Sequence, residues 1–153
     1  MPARVLPPAR LLAVVAPVSL VGGAAYVAAA VEFGQHPGRA GTIAGVIAFL
    51  VVSTFAERFP VPLEGTDANG VSLGFVFAVA ALALFGWAPA TVVYATAPTL
   101  VAIAARKPLI RTLFNAGSFG LAGTLTGALL GWLGGGHGTG QELARVAIAA
   151  LTL

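Results

Sequence analysis

RKPLIRTLFNAGSFGLAGTLTGALLG, residues 106–131, opens on a basic cluster around Pro108 formed by Arg106, Lys107 and Arg111. From Thr112 to Gln141 no further charge follows. A helix of roughly 20 apolar residues crosses the hydrocarbon core of a bilayer, and residues 109–133 supply more than that. Gly123, Gly127 and Gly131 recur every fourth residue, so one helix face carries almost no side chains. Another backbone can then approach closely, which is how membrane helices gain packing energy when lipid is as apolar as leucine. Asn115 and Ser118 lie one turn apart near the basic end, on a face that Ala122 and Thr126 continue. A cationic anchor, a polar stripe and a glycine ridge on one helix predict a packed polytopic membrane protein, with this helix as its central packing element.

Composition supports that class. Of the 153 residues, 58% are hydrophobic and 8% charged, whereas soluble domains carry about 25% charged residues. Gly and Pro, at 20 and 10 residues, are commoner in membrane helices than in soluble ones. With no cysteine, disulfides, thiolate metal sites and cysteine nucleophiles are excluded. The net charge of +3 comes from basic residues at the ends of apolar runs. That is the topology-setting pattern and not a nucleic-acid patch.

In chain order, the first span is expected at 11–31, an uncharged run too long for the core of a signal peptide. Gly22 and Gly23 mark a close-packing or bending point within it. Residues 32–41, EFGQHPGRAG, read as a polar turn. A second, short span is expected at 42–59, where Glu57 and Arg58 read as an interfacial anchor. The loop PVPLEGTDANG at 60–70 is rich in turn formers. Residues 68–105 carry no charge and hold two spans, at 71–85 and 88–105, separated by FGWAP. Pro98 falls inside the second of these and predicts a kink. The fifth span is 109–133. After GGGHGTG at 134–140, a sixth helix at 142–153 is too short to cross, so the expectation is a truncated last span and a chain that continues. The fold class is therefore all-α, a single membrane domain of about six spans.

A cytoplasmic N-terminus would place Arg4, Arg10, Arg58, Arg106, Lys107 and Arg111 inside, against Arg39 and Arg145 outside, as the positive-inside rule requires. The expected location is thus a cell membrane, multi-pass, with the bilayer as principal partner. Asn115 lies about 9 Å along the fifth helix from its basic end. Its amide either binds a ligand or forms an interhelical hydrogen bond to Ser or Thr. With Ser118, Tyr94, Thr91, Thr96 and Ser72 it could line a small pocket for a small-molecule ligand, although Ser and Thr more often bond their own helix backbone. His36 and His137 lie in turns without metal-ligand spacing. No P-loop, nucleophile elbow or metalloprotease motif occurs, so no cofactor, metal or catalytic residue is expected.

AERFPV at 56–61, VSL at 71–73, FG at 85–86, and RKP through LFNA between 106 and 116 carry a resemblance. In these, the chain resembles the N-terminal multi-helix membrane sensor domains of bacterial signalling proteins that bear HD-type phosphohydrolase or diguanylate cyclase effectors. Those domains are in turn similar to substrate-binding subunits of vitamin-uptake transporters. The resemblance covers residues 56–131 and implies a membrane sensor that relays a signal to a cytoplasmic effector. The rival expectations are a transporter subunit that binds substrate between helices, and an assembly protein in which the glycine ridge mediates homo-oligomerisation.

Overall fold

A computed structural model describes residues 9–59 and 73–133, excluding the side chains of 9–11 and 131–133. The expectations for the 60–72 loop, the glycine turn at 134–140 and a sixth span at 142–153 lie outside the described residues. All elements among the described residues are helices: α1 Ala9–Gln35, α2 Ala40–Arg58, α3 Gly74–Phe85, α4 Trp87–Ala104 and α5 Leu109–Leu133. Four of them, α1, α2, α4 and α5, are long and apolar enough to cross a membrane. The remaining helix, α3, has 12 residues and at 1.5 Å per residue is about 18 Å long.

Helix α1 outruns its expected end at residue 31. It continues through Glu32, Phe33, Gly34 and Gln35 because none of these forbids helical backbone strongly, and it stops just before His36-Pro37, where the proline disfavours helix for its predecessor. Between α3 and α4 the turn is a single residue. Gly86, with φ 85° and ψ −179°, terminates one helix and starts the next. Helix α4 runs on through Pro98, whose missing N–H removes one helical hydrogen bond.

The close approaches fix the directions of the helices. Gly117 abuts Ser19 and Gly22, and Gly120 abuts Gly22 and Tyr26, so α1 and α5 run parallel. Gly123 faces Thr91 and Gly127 faces Trp87, so α4 and α5 run antiparallel. Phe49 of α2 meets Phe85 and Phe77 of α3 edge-on, at 5.6 and 6.3 Å between ring centroids. Arg58, Arg106, Lys107 and Arg111 consequently collect at one end of the bundle, while Glu32 and Arg39 lie at the other.

Among the described helices the hub is α4 rather than α5. Among them, α4 touches each of the other four, whereas α5 touches α1 and α4. The residues that α4 buries are small or polar: Ala88, Ala90, Thr91, Val93, Tyr94, Ala95, Ala97 and Ala102. Large apolar side chains point the other way, among them Leu20, Val27, Val51, Phe55, Leu84 and Leu109. A water-soluble bundle would reverse this arrangement. In lipid, transfer of leucine from the exterior to the core gains nothing, so close backbone packing on small residues takes over.

The α4–α5 turn is closed by the Lys107 N–H donating to the Ala102 carbonyl and the Arg106 N–H donating to the Ile103 carbonyl, both at 2.9 Å. This paired closure is a Schellman arrangement, and it puts Arg106 at φ 51°, a left-handed position where glycine is usual. A non-glycine residue there costs roughly 1–2 kcal/mol. Arginine is placed where it disfavours the turn yet adds charge to the basic end of the bundle. Arg106→Gly is therefore expected to raise thermal stability, by up to about 1 kcal/mol, while weakening the orientation bias of the inserted chain. Thermal unfolding in detergent and accessibility labelling of the loops measure the two effects separately.

Threonine hydroxyls mostly return to their own helices. Thr54, Thr91, Thr99, Thr112 and Thr126 donate to the carbonyls of Leu50, Trp87, Ala95, Pro108 and Ala122. Thr96 is different: its hydroxyl and that of Tyr26 are hydrogen-bonded at 2.8 Å, tying α1 to α4. An interhelical bond of this kind is worth about 0.6 kcal/mol on average. Tyr26→Phe should lower stability by that order, and Thr96→Val should add little once Tyr26 is gone; a double-mutant cycle on thermal unfolding tests the coupling.

Candidate functional site

Of the residues singled out from the sequence, Thr91 and Tyr94 lie together on α4, whereas Asn115 and Ser118 sit on α5 toward its basic end. Tyr94 is buried in α4, its ring 4.8 Å from that of Phe119 on α5 in an edge-on pair. Asn115 and Ser118 are only half-buried on α5. Gly123 and Gly127 face α4, so these two positions of the ridge are occupied within the chain. A Cβ on Gly123 would lie 2.6 Å from the Thr91 hydroxyl, and one on Gly127 would lie 2.5 Å from Trp87 Cβ. Gly131 falls in the last turn of α5, outside the residues whose surroundings are described. Gly22 provides the close approach expected of the Gly22-Gly23 pair, while a Cβ on Gly23 would meet nothing within 4 Å.

Two spaces remain. One, enclosed by Ala78, Leu82, Ala90, Thr91, Tyr94, Gly123 and Thr126, measures about 10 Å³. That is room for one water at most. The other is an open cleft of about 330 Å³ at the end of the bundle opposite the basic cluster. It lies within the usual range for small-ligand sites, roughly 300–1,000 Å³.

Four helix ends build this cleft. The last turn of α1 contributes Glu32 and Phe33, the link after it His36 and Gly38, and the first turn of α2 Thr42. Leu84 and Phe85 close α3, and Trp87, Ala88 and Pro89 open α4 beyond Gly86. The single-residue turn is what brings Phe85 and Trp87 to the same rim. Because α1 continues to Gln35, Glu32 and His36 stand at i,i+4 on one face, with Glu32 Oε1 3.3 Å from His36 Nδ1. Both side chains stay accessible, at 47% and 72% exposure.

By composition, residues 32–41 resemble a polar turn with His36 isolated in it. The available signal was the i,i+4 spacing of Glu32 and His36 directly after an apolar helix. Gly34, Pro37 and Gly38 obscured it.

At the opposite end, Glu57 and Arg58 occupy the last turn of α2, and the Arg58 guanidinium lies 5.6 Å from the Phe59 ring centroid. No group of three or more His, Cys, Asp or Glu residues able to hold a metal occurs among the described residues. No family model, curated protein or solved structure matches the chain.

Proposed function

We propose that this chain is the membrane-embedded, ligand-binding part of a sensor. Its six-span bundle has a cytoplasmic N-terminus and passes a signal to an effector domain on the cytoplasmic side. The observation that carries the reading is the open cleft at one end of the bundle, of ligand size and with polar and aromatic walls from four helix ends. In the proposed orientation the cleft faces outward and the basic end faces the cytoplasm, in accord with the positive-inside rule. The α1–α5 pair links the two ends: α1 forms part of the cleft wall, and α5 packs along it on Gly117 and Gly120. A ligand shifts such a bundle only as far as its affinity differs between two packings.

The test has two parts. The coding sequence past Leu153 must encode a cytoplasmic effector domain, and the activity of that domain must respond to occupancy of the cleft. The second reading, a substrate-binding subunit of a small-molecule transporter, rests on the same cleft. It instead predicts saturable uptake with an energising partner and no effector. An effector that ignores every ligand bound at the cleft would sink the sensor reading.

A further inference from the structure

We propose that the cleft between the end of α1 and the α3–α4 turn binds an ammonium group, presented either by a lipid headgroup or by a free small amine. The inference rests on the ligand-binding reading above and supplies its chemistry.

The sign of the ligand's charge follows from the lining. Helix C-termini place unpaired carbonyls, and N-termini unpaired N–H groups, at a site. Here α1 and α3 end at the cleft while α2 and α4 begin there, so to first order the four dipoles cancel. Pro89, in the first turn of α4, has no N–H and removes one donor from the positive side. Among the described lining residues the only permanent charge is the Glu32 carboxylate, and no Lys or Arg is present. Arg39 precedes α2 close by but does not line the space. His36 is the one other titratable group there, and its contact with Glu32 involves Oε1 alone.

The walls select the kind of cation. Phe33, Phe85 and Trp87 line the same cleft as that carboxylate, and Trp87 is 36% exposed. A cation close to an aromatic face is held by the ring quadrupole, most strongly by tryptophan, and this is how quaternary ammonium ligands are commonly recognised. An inorganic cation would instead seek several oxygen ligands, and one carboxylate beside the Thr42 hydroxyl is too few. An alkylated or primary ammonium satisfies both features, pairing with Glu32 and resting its methyl or methylene groups on the rings. The position at a helix end, where Trp favours the membrane interface, makes a lipid headgroup and a water-borne amine equally able to enter.

Trp87 is its own reporter once the second tryptophan is removed by Trp132→Phe. In detergent, the full chain is titrated with choline, with ethanolamine and with 3,3-dimethylbutanol, the neutral isostere of choline, while Trp87 emission is followed. In a parallel arm the protein is placed in nanodiscs of phosphatidylglycerol with or without phosphatidylethanolamine. The expected result is a saturable change with an ammonium compound, weakened about tenfold by Glu32→Gln, the effect of losing one charge-assisted contact. Glu32→Asp, which keeps the charge, should retain part of the affinity, and both variants must elute as the parent does on size exclusion.

A change in the amine arm identifies a soluble ligand, and a change confined to phosphatidylethanolamine nanodiscs identifies a lipid. Equal responses to choline and its neutral isostere, or undiminished binding by Glu32→Gln, overturn the ammonium assignment while leaving a ligand-binding cleft. Silence of Trp87 toward every probe in both arms overturns the ammonium assignment and removes the support for the ligand-binding reading as well.

Discussion

Gly117→Leu is expected to pull α1 away from α5 and to lower the thermal stability of the bundle by more than the roughly 1–3 kcal/mol typical of an overfilled core. A Cβ at position 117 would lie 2.8 Å from Ser19 Cα and 3.0 Å from the Val18 carbonyl oxygen. These are backbone atoms, and they cannot rotate aside as the end of a flexible side chain can. On the opposite helix, a Cβ at Gly22 would overlap the Gly117 carbonyl, so Gly22→Leu should fail in the same way. Gly23→Leu is the matched control: it adds the same side chain one residue along, where nothing lies within 4 Å. Its effect should stay within about 0.5 kcal/mol. Thermal unfolding in detergent, followed by size exclusion, compares the three. Equal losses at 22 and 23 would mean that α1 and α5 do not pack along this parallel seam.

Gly86→Ala is expected to cost about 1–3 kcal/mol, for a different reason. No atom lies within 4 Å of a Cβ built at position 86, so crowding plays no part. The cost comes from the backbone, since φ 85° with ψ −179° lies in a region that essentially only glycine occupies. D-Alanine at this position would place its mirrored angles in ordinary extended backbone, and a semisynthetic chain carrying it should match or exceed the parent in stability. If L- and D-alanine destabilise equally, the turn is not held in the conformation described. Because Phe85 and Trp87 reach the cleft through this residue, the L-alanine variant should also weaken any ligand that binds there.

The length and polarity of the apolar runs made most helices legible. Helix α5 was expected at 109–133 and occupies those residues. Helices α2 and α4 begin and end within two residues of expectation, because charge and proline at one end and Gly86 at the other are local stop signals. The hub was not legible. In lipid the most buried helix is not the most apolar one, because its neighbours are other helices and its small and hydroxyl residues are what allow contact. Thr91, Tyr94 and Thr96 made α4 look like a helix with scattered polar marks, when they are part of the seams with α1, α3 and α5.

The candidate site was less legible still. Asn115 drew attention through its chemistry, but whether an amide finds a partner depends on which residues a distant helix presents, and no local pattern encodes that. The cleft needs four helix ends to arrive together. Its one local clue, Glu32 and His36 at helical spacing, was hidden behind turn formers that the helix overran.

The Gly86 link also bears on how the chain enters a bilayer as it is synthesised. A 12-residue helix cannot anchor itself in a hydrocarbon layer about 30 Å thick, and a one-residue connection gives α3 no freedom to wait apart from α4. The two must partition out of the translocon as one hairpin, with α4 supplying the membrane affinity that α3 lacks. A ribosome stalled so that α4 is still in the exit tunnel should therefore leave α3 on the aqueous side, open to protease. Release of α4 should protect both segments in a single step.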